Sequence, residues 1–197
     1  MKLKISVQKQ ERDLNLTEKG FIFGASEDGT IYYRPKKHQY NIEIEQKIYQ
    51  WLNVVKETLE KVYGLNVNIR KTKAGYYRLT VLSKELYNEL MKAREDYSEI
   101  LRKQESYQIG FLQGFFDAEG TVHNKRYSIR VASKKNEIIQ TVKKLLEKFG
   151  IKTGKIHEDK TAFVLPLYGK ENITKFSYVI GFRHQEKKDR LSKMIST

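Results

Sequence analysis

The chain has 197 residues, 39% of them hydrophobic and 31% charged, and carries a formal net charge of +14 with a pI near 9.7. This length suits one large domain or two small ones that share a core, and the charge asks for a polyanionic partner, nucleic acid before an anionic membrane surface. The absence of cysteine excludes disulfides and cysteine-ligated zinc, the absence of an apolar run of about 18 residues excludes a spanning helix, and Met1-Lys2-Leu3-Lys4 does not open a signal peptide.

Residues 1–16 are polar and charged and read as a short arm or edge strand, with Thr17 placed to cap a helix that runs to about Asp28. Residues 30–34, a turn at 35–38 and residues 39–45 read as strand, turn and strand. In the second strand Tyr40, Ile42 and Ile44 alternate with Asn41, Glu43 and Glu45, so one face is buried and the other polar. Residues 47–63 form an amphipathic helix with the stripe Ile48, Trp51, Leu52, Val55, Leu59 and Val62, stopped by Gly64. Leu65, Val67 and Ile69, a turn at Lys73-Ala74-Gly75, and Tyr77, Leu79 and Val81 make a second hairpin. Residues 84–94 are helical, and the charged stretch 95–104 links this half to the next.

The second half replays that order. A helix over 106–119 precedes a hairpin of 121–124 and 126–132, with Ile129 and Val131 inward and Ser128 and Arg130 outward. A helix at 135–149 carries Ile138, Ile139, Val142, Leu145, Leu146 and Phe149, and Gly150 ends it. A hairpin of 151–157 and 162–167, a helix at 170–180 and a short basic helix at 185–196 complete the chain. Ile42 and Ile44 stand 87 residues before Ile129 and Val131, and Gly64, Leu79 and Val81 stand 86 before Gly150, Leu165 and Leu167. Offsets this constant across the halves define an internal duplication, helix–hairpin–helix–hairpin–helix, twice.

Each half opens on one motif. In the second, Gly110, Gly114 and Ala118 lie one turn apart on a single helix face, where small residues let two backbones approach. The helix ends in Asp117-Ala118-Glu119-Gly120, and an acid at a helix C-terminus opposes the helix dipole unless a cation sits there. In the first half, Phe21-Ile22-Phe23-Gly24-Ala25-Ser26-Glu27-Asp28-Gly29 puts Asp28-Gly29 91 residues before Glu119-Gly120, with Glu27 as the alternative acid. Two such helices side by side bring Asp28 and Glu119 together. Hard carboxylate oxygens at that point favour Mg²⁺, which keeps several waters and accepts phosphate oxygens as ligands.

Leu112, Gly114, Asp117, Ala118, Glu119 and Gly120 resemble the signature of LAGLIDADG homing endonucleases, and the first motif resembles a degenerate copy of it. The resemblance covers nearly the whole chain. It implies an α+β fold of two pseudo-two-fold αββαββα repeats, residues 17–94 and 106–182, packed through their motif helices, with a linker at 95–105 and a basic tail at 183–197. It implies an intracellular, monomeric, Mg²⁺-dependent enzyme that cuts both strands of a long double-stranded DNA site and leaves short 3′ overhangs. Mn²⁺ would serve as well, and Ca²⁺ as a non-productive substitute. Met1 is expected of an intron-encoded chain rather than an intein.

By the same resemblance Asp28 and Glu119 hold metal, and the pairs Gln46-Lys47 and Ser133-Lys134, 87 residues apart, border the active site. Lys47 and Lys134 would stabilise phosphorane charge. Ser133 is also placed to cap the following helix, and Lys47 to be an ordinary surface lysine. The polar strand faces would form a saddle for the duplex, with Tyr32, Arg34, Asn41, Glu43, Asn68, Arg70, Arg78, Ser128, Arg130, Lys152 and Lys155 reaching bases or phosphates. Lys36, Lys37, Lys73 and Lys125 in the turns would touch phosphates. His38, His123, His157 and His184 lack the spacing of metal ligands. An RNA maturase or a non-cleaving nucleic-acid-binding protein on the same fold is the alternative.

Overall fold

The computed structural model describes residues 2–196, with the side chains of residues 10–124 and 126–196. Helix α1 (Lys2–Ala25) ends in a 3₁₀ turn, Ser26–Asp28, and is followed by β1 (Gly29–Arg34), β2 (Gln39–Gln46), α2 (Tyr49–Tyr63), β3 (Asn68–Lys71), β4 (Tyr77–Leu82) and α3 (Lys84–Glu95). A 3₁₀ segment, Tyr97–Arg102, leads to α4 (Glu105–Glu119), β5 (Gly120–His123), β6 (Ser128–Ser133), α5 (Asn136–Lys148), β7 (His157–Asp159), β8 (Ala162–Tyr168), α6 (Lys170–Val179) and α7 (Gln185–Ser196). The strands form two four-stranded antiparallel sheets in the orders β1-β2-β4-β3 and β5-β6-β8-β7. The αββαββα unit therefore occurs twice, as the duplication requires.

The halves join along α1 and α4, and they join backbone to backbone. A Cβ built on Gly110 would lie 1.9 Å from the Thr17 carbonyl oxygen, one on Gly114 2.1 Å from that of Phe21, one on Gly20 2.1 Å from that of Tyr107 and one on Gly24 2.2 Å from that of Phe111. Only glycine fits at such contacts. Around this seam Phe21, Phe23, Phe111, Phe115 and Phe116 are fully buried. The first motif is one residue shorter between its second glycine and its terminal acid. The 3₁₀ turn absorbs the difference, because three residues rising about 2.0 Å each cover what four rising about 1.5 Å each cover.

Each sheet buries one face. Ile42, Ile44, Leu79 and Val81 line the first, and Ile129, Val131, Leu165 and Leu167 the second. Helices α2 and α5 cover these faces with Trp51, Leu52, Val55 and Leu59, and with Ile138, Val142, Leu145 and Leu146. Burying each such side chain contributes about 1.5–3 kcal/mol. Gly64 ends α2 at φ 62, and Gly150 follows α5 at φ 68.

Three expectations are corrected, the arm at 2–16, the Thr17 cap and the strand at 151–156. Residues 2–16 are neither arm nor strand but the first turns of α1, and Thr17 caps nothing: inside that helix its hydroxyl donates to the Asp13 carbonyl. A polar, charged stretch thus continues the motif helix toward its N-terminus. The chain at 151–156 is not strand, and β7 is only His157–Asp159. Gly154 N–H donates to the Pro166 carbonyl, so that edge of β8 faces the chain where Pro166 has no N–H to return, and the ladder stops. The charged stretch that links the halves is packed: Tyr97 and Ile100 are buried, and the Gln108 amide donates to the carbonyls of Ile100, Leu101 and Lys103. The short basic helix expected at 185–196 is α7, and it docks with Leu191 and Met194 buried.

Candidate active site and nucleic-acid interface

Asp28 and Glu119 end their helices beside one another at the α1–α4 seam. Burial raises the pKa of both. The Asp28 charge adds to the effect on Glu119, which is pushed up to about 7. Gln46, at the end of β2, donates its amide to Asp28 Oδ2. Glu27 is held within the fold, buried under Arg94 (Nε to Oε1, 2.9 Å), the Tyr97 hydroxyl (2.8 Å) and Lys135 (3.7 Å), and its charge adds a smaller push to Glu119. Of the two acids of the first motif, Glu27 is therefore the one committed to ion pairs within the fold.

Asp117 is the counterpart of Glu27. It accepts from the backbone N–H groups of Arg183 and His184 and so caps the approach to α7, while burial raises its pKa to about 6. Arg183 fastens the same segment across both motif helices, through Gln113, Glu18 and the face of Phe21. These ties bring in a residue that the sequence reading missed. Lys187 of α7 donates to the carbonyls of Phe116 (3.2 Å) and Asp117, and burial lowers its pKa to about 8 although three nearby acids oppose the shift. A signal was present: Lys187, Leu191 and Met194 follow helical spacing, so a lysine stands on the buried stripe of α7.

The two predicted lysines are placed differently. Lys47 is exposed, its ammonium 5.3 Å from the centre of the Tyr76 ring, and Lys134 is exposed. Ser133 accepts from the N–H of Lys135 at 3.2 Å, a turn just before α5 rather than a helix cap.

On the outer face of the first sheet the predicted polar residues share one surface. Arg34, Asn41, Glu43, Asn68, Arg70 and Thr80 line an open groove. On the same sheet Arg34 donates to the Tyr32 hydroxyl (2.5 Å), Tyr32 to Glu43 (3.0 Å), and Arg78 to Glu45 (2.8 Å). On the second sheet His123, Asn124, Arg126, Arg130 and Arg190 line a cleft. Ser128, expected to face outward to solvent, is fully buried, and Asn41 is buried as well. The Ser128 hydroxyl and Arg130 Nε are buried with no hydrogen-bond partner, so this face carries unspent polar capacity. Lys152 and Lys155 lie outside the sheet; the backbone of Lys152 is bound on both sides by the Asn172 amide. Lys36, Lys37 and Lys73 sit in the hairpin turns, and the side chain of Lys125 lies outside the described residues.

Among the described residues no group of three or more His, Cys, Asp or Glu could hold a metal ion. Two desolvated carboxylates, the charge of Asp28 raising the pKa of Glu119, nevertheless form a donor set for a hard cation, one that fills its other positions with water and phosphate oxygens. The buried charges have a consequence for stability. An acid whose folded pKa is raised stabilises fully below its unfolded value, and that stability is lost as pH rises through the folded one. For Glu119 the window runs from about 4.5 to about 7. Glu119→Gln should therefore be more stable than wild type at pH 8 in chelator, by about 1–2 kcal/mol after discounting for solvent screening. The difference should vanish at pH 4.5. Thermal melts at the two pH values test this, and a destabilised Glu119→Gln at pH 8 would contradict the burial of that charge.

Two glycine-seamed helices ending in paired acids, each followed by a saddle-half of four strands, define a two-repeat LAGLIDADG fold. The comparisons agree. Residues 106–181 match the family profile of the LAGLIDADG-like domain, and residues 19–101 that of the WhiA LAGLIDADG-like domain. The chain is 30% identical to the uncharacterized protein MJ0398 of Methanocaldococcus jannaschii, over 90% of this chain and 70% of that protein. It is 28% identical to the homing endonuclease I-ApeI of Aeropyrum pernix, over 89% of this chain and 86% of that protein. A solved structure of mesophilic variants of the homing endonuclease I-DmoI superposes with a TM-score of 0.75 at 22% identity, covering 91% of this chain and 99% of that one. The chain belongs to the LAGLIDADG family of homing-endonuclease-like proteins.

Proposed function

We propose that this chain, as a monomer, binds a long, imperfectly two-fold duplex DNA site and hydrolyses both strands with a divalent cation, leaving short 3′ overhangs. The observation that carries the reading is the meeting of Asp28 and Glu119, one from each repeat, at the seam between the two sheets. A single chain thus completes a site with the two-fold relation that cutting two antiparallel strands needs. Solved complexes of I-DmoI with DNA and Mn, and with DNA and Ca, support a divalent ion at such a site.

Asp28 and Glu119 would hold the ion, and Gln46 fixes the Asp28 carboxylate by its amide. When bound, such an ion acidifies water and stabilises charge on the phosphorane and on the leaving 3′ oxygen. In each strand a water oxygen forms a bond to phosphorus and the P–O3′ bond breaks. The water gives up a proton, the 3′ oxygen takes one, and the products are a 5′-phosphate and a 3′-hydroxyl. The sheet faces position the duplex. Arg34, Arg70 and Arg78 on one and Arg126 and Arg130 on the other offer guanidinium groups to phosphate or guanine. Lys36, Lys37, Lys73 and Lys125 contact phosphate without specifying sequence. Lys47 and Lys134 reach the backbone near the cut only from exposed positions, so their effect on rate should be smaller than that of the acids.

The WhiA-type match of residues 19–101 supports one rival, a nucleic-acid-binding protein or maturase that does not cut. Paired acids in a phosphate-binding groove weaken binding unless a cation occupies them, so their presence favours the nuclease. The test is incubation of the protein and Mg²⁺ with a plasmid library of random inserts, followed by sequencing of linearised ends. Cleavage at one recoverable site is expected, and binding to that site should weaken with salt at a log–log slope near −0.9 per phosphate contact. Salt-dependent binding with no cleavage in Mg²⁺ or Mn²⁺ would establish the rival. A slope near zero would remove DNA as the partner.

A further inference from the structure

Each motif helix ends in free carbonyls, and each is met there by one cation from outside the motif. In the first half the Arg94 guanidinium donates to the Ser26 carbonyl (2.5 Å), but its charge is spent on Glu27. In the second half Lys187 donates to the carbonyls of Phe116 and Asp117. Phe116 stands at the place of Ser26 when the glycines of the two helices are aligned. Among the described residues, no carboxylate oxygen lies within ion-pairing distance of Lys187, so its charge is not committed to one partner as that of Arg94 is. Asp28 and Glu119 both feel it. The ammonium cannot swing away freely, because α7 is pinned by Leu191, by Met194 and by the Asp117 carboxylate at its start.

We propose that Lys187 is a positioning residue of the cleavage centre, a fixed positive charge that α7 places on the last carbonyls of α4, the helix that ends in Glu119. This inference rests on the nuclease reading. The charge does two opposing things. It repels a divalent cation approaching Asp28 and Glu119, and so weakens metal binding. It also attracts the scissile phosphate and the charge that develops on it, and so raises the rate once metal is bound. A purely structural lysine would do neither: losing it would loosen the site and weaken both.

The opposition gives the test. Lys187→Gln keeps an N–H donor for the two carbonyls and removes the charge, whereas Lys187→Arg keeps the charge. Mn²⁺ binding to the DNA-free protein is measured by calorimetry. Single-turnover cleavage at saturating Mn²⁺ is measured on the duplex recovered from the plasmid library. Lys187→Gln should bind Mn²⁺ about tenfold more tightly and cleave at least about tenfold more slowly. Lys187→Arg should stay within about threefold of wild type in both. Unchanged values for Lys187→Gln, or weaker Mn²⁺ binding together with slower cleavage, would overturn the proposal, and so would a Lys187→Gln protein that no longer folds while Lys187→Arg behaves as Lys187→Gln does. If wild-type protein cuts no plasmid in the library, the nuclease reading itself fails and takes this inference with it. If wild type cuts and only the Lys187 predictions fail, the nuclease reading stands.

Discussion

Asp28→Asn and Glu119→Gln should each lower double-strand cleavage by at least about 10³-fold while leaving duplex binding within a few-fold of wild type. The size follows from what a cation-binding carboxylate contributes, several kcal/mol of transition-state charge stabilisation, at about 1.4 kcal/mol per factor of ten. The preserved binding follows from where the duplex is held. The polar faces of the two sheets carry the guanidinium groups, and the acids sit at the seam between them. Neutralising an acid even removes a repulsion against phosphate. The two variants should fail together rather than each sparing one strand, because burial makes the acids interact strongly and any shared cation needs both. The measurement is a supercoiled-plasmid assay that separates nicked from linear product, with gel-shift binding in parallel. If either variant linearises the plasmid at near wild-type rate, the assignment of the acids is wrong.

The second large effect concerns the seam. Gly114→Val should yield insoluble protein, or lower the melting midpoint by at least about 6 °C, a destabilisation of about 3 kcal/mol or more for a chain of this length. The added carbons of Gly114→Val would lie against the Phe21 carbonyl, 2.1 Å from the Cβ position, and against the Ala25 N–H at 2.8 Å. Both are backbone atoms of a helix, so no rotamer change relieves the clash. The helices must separate, and with them the two acids, so any folded residue of this variant should also cut poorly. Gly110→Ala, whose Cβ would lie 1.9 Å from the Thr17 carbonyl, should behave alike. A Gly114→Val protein that melts within 2 °C of wild type would show the seam to be looser than described; circular dichroism melts decide it.

Much of this was open to a reader of residues alone. Alternation of apolar and polar residues in Tyr40–Glu45 and Tyr77–Val81 settles which face of each strand is buried, because side chains alternate along a strand whatever surrounds it. The stripe of α2, the glycine after it and the constant offsets between halves follow from equally local rules, and with them the duplicated architecture. The paired acids came from the same repeat logic, since two copies of one motif must meet if the copies pack symmetrically. Tertiary structure decided the rest. Whether Asp28 or Glu27 faces the seam depends on one residue of helix register, absorbed by a 3₁₀ turn. That Ser128 and Asn41 are covered depends on neighbouring strands that no periodicity names. Residues 151–156 fail as a strand because of a proline in the partner strand, not in their own. Lys187 reaches the end of α4 only because Asp117 and the packing of Leu191 and Met194 fold α7 back across it. Pattern along a chain reports the face a residue presents; which distant group meets that face is set by packing, and a cation from outside the repeats has no counterpart in them to give it away.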